Sequence, residues 1–262
     1  MTQTILHELI VGTASVCGLM LILWLIHLPL RNAAIVDAGW AGGLALLGVI
    51  YGATAGGYPL RALLVAAMAA LWGVRLAVFL LSTRVIGHPE EGRYVQLRRE
   101  WGGNLTLKFL LFFQFQALLC VLLSTPFLLS ALNPQPQLSF FEYAGTALWL
   151  AAWIGEFVAD SQLQSFKSNV ANRGTTCRVG LWRYSRHPNY FFEWLIWVAF
   201  SVFAMGSPYG YVAVFAPLLM LFFLFRVTGI PATEAQALRS KGEDYRRYQQ
   251  ATSAFVPWFP RS

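Results

Sequence analysis

The sequence predicts an all-α integral membrane protein, a single bundle of about seven transmembrane helices. Two observations of composition and the length of the apolar runs support this prediction. Of the 262 residues, 57% are hydrophobic and only 12% are charged, whereas a soluble globular domain carries about a quarter charged residues. The mean hydropathy of +0.54 agrees with this. Apolar runs approach or reach the roughly 20 residues that a helix needs to cross hydrocarbon. The composition therefore excludes a water-soluble fold.

The first three helices are predicted near residues 5–28, 34–54 and 62–84. No Lys or Arg precedes Arg31, so the first apolar segment lacks the basic leader of a removable signal peptide and is expected to be retained as a helix. The turn from Gly56 to Pro59 separates the second helix from the third, because glycine and proline interrupt helices.

Four further helices are predicted near residues 107–131, 139–166, 189–205 and 210–227, with a break from Asn133 to Pro136 after the fourth. No linker or repeat divides the chain, so residues 1–262 are predicted to form one transmembrane domain. Residues 84–108, 167–188 and 227–262 form its polar loops and tail. The three cysteines have no CxxC spacing, and no disulfide is predicted.

The basic residues predict an orientation. Of the 19 Lys and Arg residues, 17 lie just after the first helix, in the two polar loops or in the tail, and the exceptions are Arg61 and Arg75. Positive charge is retained in the cytoplasm, so the amino terminus is expected outside and the carboxyl terminus in the cytoplasm. Membrane lipids are the expected partners of this charge, and neither nucleic acid nor an obligate protein partner is predicted.

Ionisable residues at membrane depth are functional candidates by default, because each costs at least a few kcal/mol there. They are Asp37, Arg75, Glu156, Asp160 and Glu193. The alternative is that a residue of this kind lies near the interface, or only pairs with an opposite charge, as Asp37 would with Arg75 on the neighbouring helix.

A polar stripe is predicted on the fifth helix, where Glu156, Asp160, Gln164 and Lys167 fall within about 80° of one another. Beyond it no acid occurs between residues 161 and 192, while five cations do: Lys167, Arg173, Arg178, Arg183 and Arg186. Anionic lipid headgroups could account for these cations. The pattern also suits a ligand with phosphates at one end and donor groups at the other.

The most specific motif runs from Gly180 to Glu193 and contains Arg186-His187-Pro188-Asn189. Pro188 suits the first turn of a helix, and Asn189, Glu193 and Trp197 then share one face. His187 and Glu193 could ligate a metal. The break at Pro188 spoils the required spacing, however, and no third ligand is evident, so no metal site is predicted.

With this motif, the chain resembles the steroid 5α-reductase family, in particular its bacterial membrane branch. The resemblance also rests on Ile35 to Trp40, Trp72 to Arg75, Arg84, Asp160 to Lys167, Glu243 to Tyr248 and Phe255 to Pro257. It implies a seven-helix bundle in the bacterial inner membrane, with NADPH entering from the cytoplasm. It also implies an apolar enone as the substrate, a 3-oxo-4-ene steroid, which reaches the site from the bilayer.

Carried over position by position, the resemblance implies that NADPH contacts Arg84, Glu156, Asp160, Lys167, Tyr184, Asn189, Glu193 and Arg226, together with Glu234, Tyr245 and Arg246 in the tail. Arg178, Arg186 and His187 join this set, because cations here would favour the 2′-phosphate of NADPH over NADH. No glycine-rich Rossmann motif offers the cofactor another site.

The resemblance further implies a carbonyl donor on the second helix and another on the third, where the family has glutamate and tyrosine. This sequence departs at both, with Asp37 and Trp72, and Tyr94 is a further candidate donor. Hydride can pass directly to the β-carbon of an enone if its carbonyl oxygen is polarised. The chain is therefore expected to be a 3-oxo-5α-steroid 4-dehydrogenase type oxidoreductase.

Two other interpretations remain open. Arg186-His187-Pro188 with Glu193 also resembles the isoprenylcysteine and phospholipid methyltransferases of membranes, which use S-adenosylmethionine, although those proteins typically have fewer spans. A transporter or lipid-binding bundle would explain the buried charges but not the clustered motif.

Overall fold

The computed structural model describes residues 2–227 and 229–261. Helix accounts for 79% of the described residues, and no strand occurs among them, which confirms the predicted all-α class. The helices group into two compact units. The first unit comprises Met1–Phe140 and Ala204–Ala213, and the second comprises Phe141–Phe203 and Val214–Ser262.

The first unit contains six α-helices: α1 (Thr2–Leu30), α2 (Ile35–Thr54), α3 (Pro59–Leu80), α4 (Gly92–Trp101), α5 (Leu105–Leu123) and α6 (Thr125–Ala131). A π-helical turn, Leu81–Val85, extends α3. Small residues bring α2 and α3 close together. A Cβ atom on Gly52 would lie 2.6 Å from the Cβ of Ala66, and one on Gly73 would lie 2.6 Å from the carbonyl oxygen of Ala41. Close approach of this kind is how helices pack in lipid, where no hydrophobic effect holds them together.

The prediction of one continuous helix over residues 107–131 is wrong. Helix α5 ends at Leu123, and α6 begins at Thr125 with Pro126 in its first turn, because proline supplies no N–H to continue the helix. The hydroxyls of Ser124 and Thr125 donate to the carbonyl oxygens of Val121 (2.8 Å) and Leu122 (2.7 Å). They thereby satisfy carbonyl groups at the break.

Residues 84–108, predicted only as a polar loop, contain the short helix α4. Glu90 fixes this segment to the start of α2, since its carboxylate accepts the backbone N–H of Ala33 (2.8 Å). The same carboxylate accepts two hydrogen bonds from the guanidinium of Arg98 (2.7 and 2.9 Å). Glu90 therefore ties α4 to α2.

Arg61, one of the two basic residues outside the predicted cytoplasmic segments, is only 1% exposed. Its guanidinium donates to the backbone carbonyl oxygens of Asn133 (2.9 Å), Gln135 (2.8 Å) and Gln137 (2.6 Å). Arg61 thus holds the turn that follows α6.

The second unit contains α7 (Phe140–Ser168), α8 (Pro188–Ala204), α9 (Phe215–Phe222), α10 (Ile230–Lys241) and α11 (Glu243–Ala251). Short 3-10 turns of this unit lie at Val170–Asn172 and Gly180–Arg183, and a π-helical turn, Phe223–Val227, follows α9. A further 3-10 turn, Gly210–Val214, precedes α9, and all of it except Val214 belongs to the first unit. Helices α7 and α8 approach closely, because a Cβ atom on Gly145 would lie 2.6 Å from the backbone nitrogen of Phe203.

Within the part of the chain that the structure describes, five helical segments are long and apolar enough to cross a membrane: Gln3–Leu30, Ile35–Thr54, Pro59–Val85, Leu105–Leu123 and Gly210–Lys241. Helix α5 illustrates their surface, with one exposed face formed by Leu107, Leu111, Phe115, Leu118 and Leu122. The other two predicted spans form helices α7 and α8 near the expected positions. The architecture fits an all-α membrane bundle, and the number seven stays a prediction.

Candidate functional site

The first unit brings two predicted donors together. The hydroxyl of Tyr94 donates to Oδ1 of Asp37 at 2.6 Å, and Nη1 of Arg84 lies 3.5 Å from Oδ2 of the same carboxylate. Arg84 also contacts Glu91 at 3.4 Å. The ion partner that the described structure gives Asp37 is therefore Arg84, not Arg75. We call Asp37 and Tyr94 the donor pair.

Three elements position the donor pair. Asp37 lies in the first turn of α2, whose start is fixed by Glu90 and by Asn32, which accepts the N–H of Ala34 at 3.0 Å. Tyr94 lies in α4 and Arg84 in the π-helical turn after α3. Sequence reasoning missed Glu90 and Asn32, which lie in polar stretches without a motif.

Tyr94 is completely buried. Burial, and next the negative charge of Asp37, raise the pKa of Tyr94 well above its usual value. The phenol therefore keeps its proton through the neutral range and remains a hydrogen-bond donor. Trp72, the third predicted catalytic residue, is also fully buried. Its ring meets that of Trp40 edge to face, with 5.9 Å between centroids.

In the second unit, the polar stripe of α7 runs from buried to exposed residues. Glu156 is 3% exposed and Asp160 5% exposed, whereas Gln164 and Lys167 are exposed. Lys241 lies within electrostatic range of Lys167, so two positive charges are near one another at the exposed end of the stripe.

The first turns of α8 carry the amide and carboxylate that the motif predicted. Nδ2 of Asn189 donates to Oδ1 of Asp160 at 3.3 Å. Glu193, 8% exposed, accepts the indole N–H of Trp197 at 3.0 Å. The predicted common face of Glu193 and Trp197 is confirmed, and Asn189 joins α8 to the stripe of α7.

Arg186 and His187 converge on Glu234 of α10. Nε of Arg186 donates to Oε1 of Glu234 at 2.7 Å, and Nε2 of His187 lies 3.2 Å from the same oxygen. Gln249 donates to Oε2 at 2.8 Å, and the hydroxyl of Tyr245 lies 3.5 Å from Oε1. Four residues that were nominated separately, Arg186, His187, Glu234 and Tyr245, thus form one cluster.

Arg186 also fixes the backbone at the end of α11 and just after it. Its Nη1 donates to the carbonyl oxygens of Gln249 (2.9 Å) and Thr252 (2.6 Å). The hydroxyl of Tyr248 donates to the carbonyl oxygens of Trp182 and Ser185. Ser185 and Tyr248 were missed as positioning residues, because no local pattern links the motif to a segment some 60 residues later.

The remaining predicted cofactor residues lie apart from this cluster. Arg178 donates to the carboxylate of Asp244 at 2.7 Å and to its backbone carbonyl at 2.8 Å. Arg226 is exposed, and Arg246 pairs at the surface with Glu243 at 3.4 Å. The ring of Tyr184 contacts that of Phe259, with 6.0 Å between centroids. Within the described ranges no group of three or more His, Cys, Asp or Glu side chains could hold a metal ion.

The chain is similar to one of the families of known proteins. A family model described as "Protein of unknown function (DUF1295)" matches residues 23–252, a range that includes the donor pair and the Glu234 cluster. No curated protein and no solved structure is significantly similar to the chain.

Proposed function

The chain belongs to the DUF1295 family, within the steroid 5α-reductase-like superfamily, and from this premise we propose that it reduces the carbon–carbon double bond of an apolar α,β-unsaturated ketone with NADPH. A 3-oxo-4-ene steroid or a related lipid taken from the bilayer is the proposed substrate. In this proposal Asp37 and Tyr94 contact the substrate carbonyl, and the polar residues of α7 and α8 contact the cofactor.

The observation that carries the proposal is the donor pair. The buried hydroxyl of Tyr94 lies 2.6 Å from the carboxylate of Asp37. When the hydroxyl turns from Asp37 to the substrate, it donates its hydrogen bond to the carbonyl oxygen instead. Tyr94 retains its proton, since burial and the charge of Asp37 raise its pKa. Asp37 holds the phenol in place before the substrate binds, and Arg84 balances the charge of Asp37. Once the hydroxyl has turned to the bound enone, it needs no further reorganisation while negative charge develops on the carbonyl oxygen.

The second unit contains charged and polar side chains of the kinds that bind the phosphates, ribose hydroxyls and carboxamide of NADPH. Its phosphates need cations, and the exposed Lys167 with the nearby Lys241 supplies two. Its ribose hydroxyls and carboxamide need acceptors and donors, which Asp160, Asn189 and Glu193 supply. Buried carboxylates and amides of this kind stay at membrane depth only where something polar uses them.

NADPH, when bound, supplies the hydride that the β-carbon of the enone accepts. The donor pair holds the carbonyl oxygen and stabilises the negative charge that develops on it. The α-carbon then takes a proton from the solvent, to which the Asp37 side chain is partly exposed.

The test is isotopic. Purified protein in detergent is supplied with NADPH carrying deuterium at the transferable position and with a panel of 3-oxo-4-ene steroids. Mass spectrometry should find deuterium at the β-carbon of the product and a solvent hydrogen at the α-carbon. Absence of reduction across the panel, together with binding of S-adenosylmethionine instead of NADPH, would overturn the proposal in favour of methyl transfer.

Cofactor binding is tested separately by titration. Asp160→Asn and Asn189→Ala should each weaken NADPH binding at least tenfold, and NADPH should bind more tightly than NADH because of its additional phosphate. Gln236→Ala is the matched control, since this exposed amide lies in the same unit but outside the predicted site. Unchanged NADPH affinity in both variants would remove these residues from the site.

A further inference from the structure

The end of the chain is fixed to the segment that precedes α8. Within the segment 227–262, we now use the name tail only for residues 252–261. Besides the bond from the Arg186 guanidinium to Thr252, three hydrogen bonds attach it: the N–H of Arg186 to the carbonyl oxygen of Ser253 (2.8 Å), the hydroxyl of Ser185 to that of Phe255 (2.7 Å), and the N–H of Trp258 to that of Tyr184 (2.9 Å). These bonds give the tail a defined position without any secondary structure of its own.

The first half of the tail packs beside an apolar helical segment. Phe255 is 7% exposed and forms a small core with Leu224 and Ile230. Its ring lies 5.2 Å from that of Phe225 and 5.6 Å from that of Phe191, measured between centroids. Phe225 belongs to Gly210–Lys241, one of the five segments that can cross a membrane. The tail therefore lies beside one end of the apolar part of that segment.

The second half of the tail presents large apolar side chains to the outside. Val256 is 53% exposed, Trp258 70% and Phe259 75%. Phe225 and Val227 nearby are 41% and 53% exposed. Exposed apolar groups this close together mark an interaction site, and tryptophan and other aromatic rings favour the interface between bilayer and water.

The charge of the tail fits the same surroundings. Residues 252–262 contain no acid and one cation, Arg261, and Arg183 is exposed just before the segment that holds the tail. A cavity of about 400 Å³ lies beside Trp258, Phe259 and Arg261 and is also lined by Gln249, Gln250 and Ser253. An anionic lipid headgroup would meet a guanidinium and polar groups there, next to rings suited to the upper acyl chains.

We propose that the tail is an interfacial anchor: Val256, Trp258 and Phe259 insert among the upper acyl chains of the bilayer, and Arg261 lies among its anionic headgroups. The partner is the lipid surface itself. The exposure of Val256, Trp258 and Phe259 supports this, as do the contact of Phe255 with Phe225 and the absence of acids from the tail.

The anchor is tested by quenching of tryptophan fluorescence in bilayers. The protein and its Trp258→Phe variant are compared in nanodiscs of lipids brominated near the headgroup, and the difference between their emissions isolates Trp258. We expect the bromolipids to quench this emission several-fold more than aqueous iodide does. Stronger quenching by iodide would overturn the proposal.

A second measurement keeps the test independent of emission from the other tryptophans. Nitroxide labels are attached at Trp258→Cys and, as a matched control in the same unit, at Glu243→Cys, whose native side chain is 62% exposed, after replacement of the three native cysteines. The label at 258 should collide several-fold more with oxygen, which enriches in lipid, than with a water-soluble nickel complex. Position 243 should show the reverse. Protection of position 258 from both reagents would mean a protein contact and would refute the anchor, whether or not the chain reduces enones.

Discussion

At the scale of single residues, the bond between Tyr94 and Asp37 makes the two side chains act as one unit. If the pair polarises the substrate carbonyl, Asp37→Asn and Tyr94→Phe should each lower kcat by roughly a hundredfold, the effect of losing one oxyanion donor. The dissociation constant for NADPH should stay unchanged, because neither residue is assigned to the cofactor. Steady-state kinetics and a separate NADPH titration measure the two effects.

The pair also predicts non-additivity. The double variant should lose about as much kcat as either single variant, since residues that act as a unit do not contribute independently. Tyr143→Phe removes an exposed tyrosine hydroxyl from α7 and should leave kcat unchanged. Wild-type turnover by Tyr94→Phe would mean that Asp37 needs no phenol, and the role assigned to Tyr94 would be wrong.

The residues of the pair could be nominated from sequence, but their partners could not. An acid in an apolar helix attracts attention because of its cost, whereas Tyr94 lies 57 residues away in a polar segment. Arg75 was a reasonable partner for Asp37 on a neighbouring helix. The structure instead pairs Asp37 with Arg84, which lies in a π-helical turn, and a turn of that kind changes the direction of side chains relative to the helix before it.

At the scale of secondary-structure elements, Arg186 joins α8, α10 and the tail. Its side chain is 12% exposed and that of Glu234 16%, so Arg186→Ala leaves a carboxylate largely buried with one ionic partner fewer and two carbonyl groups without their donor. The free energy of unfolding should fall by about 3 kcal/mol, as is usual when one partner of a buried pair is removed. Denaturation in detergent measures it.

The control for this prediction is a surface arginine of the same unit. Arg246 and Glu243 are 66% and 62% exposed, and exposed pairs contribute little. Arg246→Ala should therefore change stability by less than about 0.5 kcal/mol. Equal losses in the two variants would contradict the view that Arg186 is the buried link.

Helix α11 is attached to the loop after α7 through a carboxylate, which gives this contact a pH dependence. Hydrogen bonding from Thr176 outweighs partial burial and, with the charge of Arg178, holds the pKa of Asp244 below its usual value. The folded state thus binds this proton more weakly than the unfolded state does. Asp244 stabilises the contact above about pH 4, and this stabilisation is lost as the pH falls further.

Hydrogen exchange follows this loss directly. The N–H of Thr176 donates to Asp244 at 2.8 Å, so its protection, corrected for the intrinsic exchange rate, should decrease from about pH 5 to about pH 2. Asp244→Asn should give weaker protection that no longer varies with pH in this range. A wild-type profile as flat as that of the variant would show that the carboxylate is not the group that titrates.

Elements with long apolar runs were predictable, and elements without them were not. Helices α1, α2, α3 and α7 follow apolar stretches closely, but α4 carries four charged residues among its ten and has no such run. The division between α5 and α6 was missed for a different reason. Apolar residues resume directly after Ser124 and Thr125, and the position of Pro126 in the first turn of the next helix marks the break.

At the scale of the whole molecule, the number of membrane crossings can be tested with two cysteines. If α7 and α8 both cross the bilayer, the loop at Arg173 faces the side opposite to the turn at Gln135. Arg173→Cys and Gln135→Cys, both at exposed positions, should then react with a membrane-impermeant maleimide from opposite sides of oriented vesicles. A cysteine placed at Ser262 should react from the same side as Arg173→Cys.

Five crossings would give another pattern. In that case α7 does not cross, and positions 135 and 173 would be labelled from the same side, with the carboxyl terminus opposite. Charge and hydropathy could predict a membrane protein and an orientation, because both are sums over many residues. Hydropathy alone could not decide the crossings by α7 and α8, since α7 carries its polar stripe and α8 has only 17 residues.

The three hydrogen bonds of Arg61 constrain the order in which the chain can be completed during synthesis. Their acceptors lie 72, 74 and 76 residues downstream. At the usual rate of translation the ribosome needs roughly 4 to 15 s to make that stretch. Throughout this interval the three carbonyl groups that accept from Arg61 of the nascent α3 have not yet been made. The hairpin of α2 and α3 can therefore reach its final form only after Gln137 has been added.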